Sequence, residues 1–476
     1  MTPYAIIIHV SFLYYILYCS FYMKIKRFNA LLPCLSAVVI AAMLAPVALL
    51  GPLPARADAG IMRWETVSTP NSVPGRNDIL NTYTSAFLTD PTGSEIRDLA
   101  VGNDGKTLIS AVTVDNRTIV NTNTPGPLGV LYATADGGIS WSAAVYRQLT
   151  RTTGWEVNYH VYNVVIAPDD SKIWAASVGD NITGPRQLWV TQDKGASWNN
   201  ANVPIAFVAD EAISTMDISP DYGNGRDFMF GTRSSNGDGK LFIMKGRGFG
   251  SWAQQVDPET KIDYFAVKFS PTYAGDNSVV LVYADDNQTS YNVGLRDISG
   301  NSILSYVFPG TGIEISTSDN LSPSFSSLAV ADLSLPSDYS GMSPALRRAF
   351  VSLYSPAMAI TENITGIFRI DDTVPAALYR SLDATKQAYS IAFFGTYSSG
   401  KLLAGFANGS PCNAVVPTVF MDTPCICAGS CIIPSLKPPT GAANQGICAA
   451  SDNLSGIGAA LVSWSPNGSL AYAATG

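Results

Sequence analysis

Apolar residues along this chain fall into short runs broken by Gly, Pro, Asn and Asp, and no long segment of 3.6-residue period interrupts them. One unit recurs: an apolar run leads into Ser-Pro or Ala-Pro, a polar turn follows, and a second apolar run begins. Val164-Val165-Ile166-Ala167-Pro168 leads in this way to Ile173-Trp174-Ala175-Ala176, and Met216-Asp217-Ile218-Ser219-Pro220 to Phe228-Met229-Phe230-Gly231. Val267-Lys268-Phe269-Ser270-Pro271 leads to Val279-Val280-Leu281-Val282, and Leu461-Val462-Ser463-Trp464-Ser465-Pro466 to Leu470-Ala471-Tyr472. Weaker copies start near Leu99, Leu333 and Phe394. With Val101, Ile166, Ile218, Phe269, Leu333, Phe394 and Trp464 as anchors, the spacings are 65, 52, 51, 64, 61 and 70 residues.

A repeat of that length holds about four short strands, the size of a β-propeller blade. One blade alone leaves a sheet face bare, so the units must stack around an axis. The pattern predicts an all-β chain, a β-propeller of seven four-stranded blades forming one domain over residues 58–476. The segment Trp64-Glu65-Thr66-Val67-Ser68-Thr69-Pro70 has no blade before it and is expected to close the last blade. That last blade is expected to be incomplete, because only two of its strands precede Gly476.

A second repeat is more specific. Thr134-Ala135-Asp136-Gly137-Gly138-Ile139-Ser140-Trp141 and Thr191-Gln192-Asp193-Lys194-Gly195-Ala196-Ser197-Trp198 both fit Ser/Thr-x-Asp-x-Gly-x-x-Trp. The residue types suit a tight hairpin: Asp136 and Asp193 cap backbone N–H groups, Gly138 and Gly195 take positive φ, and Trp141 and Trp198 pack between sheets. Degenerate copies lie at Gly246-Arg247-Gly248 to Trp252 and at Arg369-Ile370-Asp371-Asp372. The motif resembles the Asp-box of the BNR repeat family, found in sialidases, sortilin-type receptors, xyloglucanases and photosystem II assembly-factor-like propellers. The resemblance implies that the box is structural and faces away from any active site.

The N-terminus reads as an address. From Met23, a basic stretch of Lys24, Lys26 and Arg27 precedes an apolar run from Leu31 to Leu50 and an Ala55-Arg56-Ala57 cleavage site. Residues 1–57 are therefore expected to be a signal region, with translation starting at Met23 and cleavage after Ala57. The competing reading is a transmembrane hairpin of residues 4–22 and 31–50. The full chain has 29 basic and 37 acidic residues and a net charge of −8. Cleavage would leave −12, since it removes four basic residues and no acidic one. An acidic chain of this kind is a poor nucleic-acid binder, and an exported one is expected at the cell surface, in the medium or in a periplasm, not integral to a membrane. Cys412, Cys425, Cys427, Cys431 and Cys448 fall within 37 residues, inside an expected insertion at 408–452. In an exported chain they read as disulfide partners with one thiol left over. Zinc is the competing reading, but the spacing lacks paired C-x2-C and no His is near.

Chemistry is sparse. Two His occur, His9 and His160, so mechanisms built on several His are excluded. In a propeller, ligands meet the loops that enter the innermost strands. The rim candidates there are Glu95, Arg97, Asp98, Tyr159, His160, Tyr162 and Tyr264, with Asp210, Glu211 and Asp263 as the carboxylates a glycoside hydrolase needs. The closest string to the sialidase Phe/Tyr-Arg-Ile-Pro segment, Phe368-Arg369-Ile370-Asp371, lacks the Pro and falls after both boxes. No cofactor is called for. Asp-rich turns at Asn103-Asp104-Gly105, Asp169-Asp170 and Asp285-Asp286-Asn287 could take Ca²⁺ but read as plain β-turns. The sequence thus favours an exported, non-catalytic binding scaffold for a protein or carbohydrate partner. A glycoside hydrolase resembling sialidases or xyloglucanases is the alternative, and a periplasmic or lumenal assembly factor the second.

Overall fold

A computed structural model describes residues 95–475 apart from 116–126, 154–158, 181, 204–206, 209, 224, 245–251, 258–259, 298–303, 317–321, 356–363, 382–386, 408–417, 423–459 and 469. The strands form separate antiparallel sheets in chain order. The first holds β1 (Glu95–Val101), β2 (Leu108–Asp115) and β3 (Pro127–Thr134). The second holds β4 (Tyr159–Ala167), β5 (Asp170–Asp180), β6 (Gly184–Thr191) and β7 (Asn199–Asn200). The third holds β8 (Ala212–Ile218), β9 (Phe228–Arg233), β10 (Leu241–Met244) and β11 (Trp252–Gln254). In the fourth, β12 (Asp263–Phe269), β13 (Ser278–Ala284), β14 (Thr289–Arg296) and β15 (Leu304–Tyr306) are joined by β16 (Ile313–Glu314), which also pairs with β14. The fifth holds β17 (Val330–Ser334), β18 (Arg348–Ser355), β19 (Ile364–Asp371) and β20 (Val374–Ser381). The sixth holds β21 (Gln387–Phe394), β22 (Lys401–Ala407) and β23 (Thr418–Asp422), and the last β24 (Ala460–Trp464) and β25 (Ala471–Thr475).

The first strand of each sheet packs against the first strand of the next, and β24 packs against β1. These inner strands surround a central channel of about 1040 Å³. The fold is an all-β propeller. The expectation of four strands in each blade before the last holds in part: among the described residues the second, third and fifth sheets have four strands, the first and sixth three and the fourth five, while the last shows two. The expected closing strand at Trp64–Pro70, the degenerate copy at Gly246–Gly248 and the five cysteines at 412–448 lie outside the described residues.

Packing follows from period-two alternation. Alternate residues of a strand enter a core shared with one neighbouring sheet, as where Val164, Ile166, Trp174 and Ala176 meet Leu128, Val130 and Tyr132. Side chains then pin the inner strands to one another. The Asp98 carboxylate accepts the Val164 N–H (2.8 Å), Asp217 the Phe269 N–H (2.8 Å) and Asp332 the Ile391 N–H (2.9 Å). The hydroxyls of Thr215, Ser334 and Ser390 do the same for Val267, Phe393 and Val462. Each of these six contacts satisfies a backbone donor that faces a neighbouring sheet rather than a ladder partner. Inner strands β1, β4, β8, β12 and β21 also share a bulge near their start, which frees Arg97, Tyr162, Ser214, Phe265 and Tyr389 from regular pairing.

The two Ser/Thr-x-Asp-x-Gly-x-x-Trp segments adopt the same turn. Thr134 and Thr191 hydroxyls donate to the Asp136 and Asp193 carboxylates (2.6 and 2.8 Å), which also accept the Ser140 and Ser197 N–H (2.9 and 2.8 Å). Gly138 and Gly195 sit at φ 91° and 82°, where a side chain would be strained. The first turn leads into a helix that the strand pattern did not announce, α1 (Ala144–Thr153). Tyr146 and Leu149 on one face of it are buried in the first core, and Ser142 Oγ accepts the Ala144 N–H at its start (3.1 Å).

Candidate functional site

All inner strands begin at one end of the ring, and the β9–β10 connection and residues 324–329 reach the same end. The rim candidates separate there into four groups. Glu95 and Tyr159 open β1 and β4, pairing with Thr113 and Asp180, and their side chains lie outside the described residues. Arg97 lines the channel with its guanidinium over the Tyr162 ring, 5.2 Å from the centroid, while the Tyr162 hydroxyl donates to the Asp180 carbonyl (2.7 Å).

Four candidates are corrected. His160 is buried rather than presented at the rim, and its Nδ1 accepts the Gly129 N–H (2.9 Å). Burial, helped by the nearby Arg97 charge, holds its pKa down to about 4, so the ring is neutral. Tyr264 is fully buried and donates its hydroxyl to Asp257 (2.6 Å), a core contact. Asp98 is one of the inter-sheet pins, its second oxygen accepting the Leu99 N–H (2.8 Å). Glu211 is fully buried and spoken for by the Thr232 hydroxyl (2.7 Å), the Lys240 ammonium (2.7 Å) and the Val208 N–H (3.2 Å).

Asp210 and Asp263 converge. They line one rim pocket of about 520 Å³ with Arg233, Ser234, Ser235, Phe325 and Ser326, floored by Ala212, Ile213 and Ser214 of β8. Asp210 is exposed and its Oδ2 accepts the Ser235 N–H (2.7 Å). Hydrogen bonds from the Ser235 side chain and backbone hold its carboxyl below the usual carboxylate range. Asp263, at the start of β12, is 1 % exposed and accepts the Ser234 N–H (3.0 Å). Burial outweighs that bond and the Arg233 charge, and with Asp210 opposing ionisation its pKa is pushed up to about 6. Arg233 lies on the Phe265 ring at 3.8 Å and donates to the Ala329 and Leu328 carbonyls (3.1 and 3.3 Å). Burial lowers its pKa. The pocket therefore holds one carboxyl biased toward its proton and one biased toward its charge, the division of labour that acid–base chemistry needs.

Sequence reasoning missed Arg233, Ser234, Ser235 and Phe325: the first ends β9, the next two follow it, and Phe325 comes from the connection between the fourth and fifth sheets. The turn residues Asn236-Gly237 directly after the β9 run marked a rim connection, but nothing local tied it to residue 325. The turn carboxylates considered for Ca²⁺ are occupied by protein donors. Asp104 accepts the Thr107 N–H and hydroxyl (both 2.7 Å), Asp169 pairs with Arg226, and Asp285 accepts the Asn287 and Gln288 N–H (2.6 and 2.8 Å). Among the described residues no three His, Cys, Asp or Glu come together so as to hold a metal ion, and no helix is long and apolar enough to cross a membrane.

No protein-family profile and no curated protein matches the chain. Similarity is found to solved structures. An ancestral GH74 enzyme is 14 % identical with a TM-score of 0.41, over 69 % of this chain and 38 % of its own. A Hadza microbial sialidase is 11 % identical with a TM-score of 0.41, over 66 % of this chain and 63 % of its own. Hydrazine synthase of Kuenenia stuttgartiensis is 14 % identical with a TM-score of 0.42, over 79 % and 92 %. The chain thus spans under two thirds of the length of the first two.

Proposed function

We propose that this chain is a glycoside-cleaving propeller of the BNR type, with its seven sheets as blades, its two Asp-containing turns as Asp-boxes, and the Asp210–Asp263 pocket as its active site. The observation that carries the reading is the pair of carboxyls with opposite protonation bias in one pocket at the ligand-facing end. Asp263 gives its proton to the glycosidic oxygen as the bond from that oxygen to the anomeric carbon breaks. Asp210 takes a proton from the water whose oxygen bonds to that carbon. Solvent then returns one proton to Asp263 and removes one from Asp210. Ser234 and Ser235 fix the two carboxylates through backbone N–H groups, and Arg233 sets the field around Asp263.

A panel of aryl glycosides tests the reading. Turnover should fall by about 10²–10⁴-fold in Asp263→Asn and in Asp210→Asn. Binding of glycans by the unaltered chain without turnover of any aryl glycoside would return the rim to a non-catalytic scaffold.

A further inference from the structure

Phe325 has no part in the proton transfers, yet contacts from several sheets hold it in the rim pocket. Its N–H donates to the Asp285 carbonyl (2.8 Å), which ties it to the fourth sheet. The turn that follows closes on Ser324, whose carbonyl accepts the Ser327 and Leu328 N–H (3.0 and 2.8 Å). Ser355 of β18 donates its hydroxyl to the Ser327 carbonyl (2.8 Å), and Arg233 grips the Leu328 carbonyl from the pocket side. One edge of the ring rests on Gly237, where φ is +73° and a Cβ would stand 2.8, 3.0 and 3.1 Å from three ring carbons. Three sheets therefore hold one half-buried aromatic ring that packs partly against the core of the fourth and fifth sheets and partly lines a pocket of carboxylates, serines and a guanidinium over Ala212 and Ile213. An apolar plate beside convergent polar groups matches a ligand that is apolar on one face and polar around its edge. A pyranose ring is such a ligand, with axial C–H bonds on one face and hydroxyls around its edge.

We infer that Phe325 is the stacking platform for a hexopyranose in this pocket, its ring covering one C–H face while the sugar's hydroxyls meet Asp210, Ser235 and Ser326. The identity of the ligand as a sugar rests on the glycoside-cleaving reading, but the test is independent of turnover.

Saturation-transfer NMR with methyl β-D-glucopyranoside, methyl β-D-galactopyranoside and methyl α-D-mannopyranoside reads which protons touch the protein. The full chain should saturate the axial protons of one face of at least one of these sugars. That pattern should be retained in Phe325→Tyr. It should be lost in Phe325→Leu, which keeps apolar bulk without the ring, and in Gly237→Ala, which displaces the ring without removing it. By titration, Phe325→Leu should weaken binding of the best sugar about tenfold. No saturation of any of the three by the unaltered chain overturns the inference, as does an unchanged pattern in Phe325→Leu. Face-selective binding without hydrolysis of any aryl glycoside would sink the catalytic reading and leave the platform standing. Hydrolysis with normal KM and an unchanged saturation pattern in Phe325→Leu would do the reverse.

Discussion

Asp263 carries two opposed demands at one carboxyl. A general acid must hold its proton, and burial achieves this by raising the pKa to about 6. If Asp263 is the acid, kcat/KM should fall tenfold per pH unit above about 6, and a profile flat from pH 5 to 8 would exclude the assignment. The same burial works against the fold at neutral pH. A carboxyl raised in the folded chain binds its proton there at a pH where the unfolded chain has already lost it. Its stabilising share is present on the acid side and is lost as pH rises through 6. Asp263→Asn should therefore be inactive but more stable at pH 7.5 by about 1–3 kcal/mol, with the gain roughly halved at pH 5 and nearly gone by about pH 3.5, as read from urea denaturation at all three values. Glu211, its neighbour in the sequence argument, shows why residue type alone misleads. The pair Asp210-Glu211 reads as two adjacent acids, yet the turn before β8 leaves one to solvent and directs the other into Thr232 and Lys240.

Elements were legible in the sequence where the physics is local. Ser-Pro turns, Asp-containing hairpins and period-two runs each depend on neighbours a few residues away, so the repeat located the inner strands of the sheets. The pins between inner strands were legible in part. Asp217 lies two residues before Ser219-Pro220, and Asp332 begins Asp332-Leu333-Ser334 in a weaker copy, so a polar residue recurs on otherwise apolar inner strands. What it bonds to is some 50 residues away and is not written locally. Helix α1 and the pocket were not legible for the same reason: Tyr146 and Leu149 become a helix face only against the first core, and Phe325 meets Gly237 only through the ring. The pins predict their own energetics. Thr215→Val and Ser334→Ala each leave an inner-strand N–H without its acceptor, in different interfaces, and should each cost about 1–2 kcal/mol. Because the sites share no partner, the double variant should equal the sum within about 0.5 kcal/mol in urea denaturation. A clear shortfall would mean that the ring loosens as one unit once any pin is gone.

Among the described residues, the carboxylates whose titration the fold shifts fall into two sets that move in opposite senses. Asp98, Asp257 and Asp263 are pushed up to about 6, and Asp217 and Asp332 are raised too, in each case chiefly by burial. These favour the folded chain as pH falls from 7 toward 5. Asp136, held at about 2 by the Ser140 and Thr134 hydroxyls, belongs to the other set, with Asp180 held down by the Thr183 N–H. Its members stabilise above the ordinary carboxylate range and lose that share below it. His160, kept down to about 4, opposes the first set, because an unfolded His takes its proton near 6.5 while the folded one resists. With the raised carboxyls outnumbering that single His, the midpoint of thermal unfolding should peak on the acid side of neutrality, at about pH 4, where the unfolded carboxyls take up their protons and the second set begins to lose its share. Calorimetry from pH 3.5 to 8 reads this directly, and a midpoint that falls steadily from pH 7 to 5 would refute it.

The contact of β24 with β1, and of Tyr472 with the Gly105 carbonyl at 3.5 Å, gives the molecule a seam. Every other junction joins sheets that are consecutive along the chain and can form as soon as both have left the ribosome. The seam alone waits for the far end. At about 5–20 residues per second, the first sheet stands with one flank bare for roughly 20–75 s before its partner exists. During that interval the edge facing Leu461 is a site for another nascent copy to occupy, so yield should depend on synthesis rate and chain concentration more steeply than the stability of the finished ring would suggest.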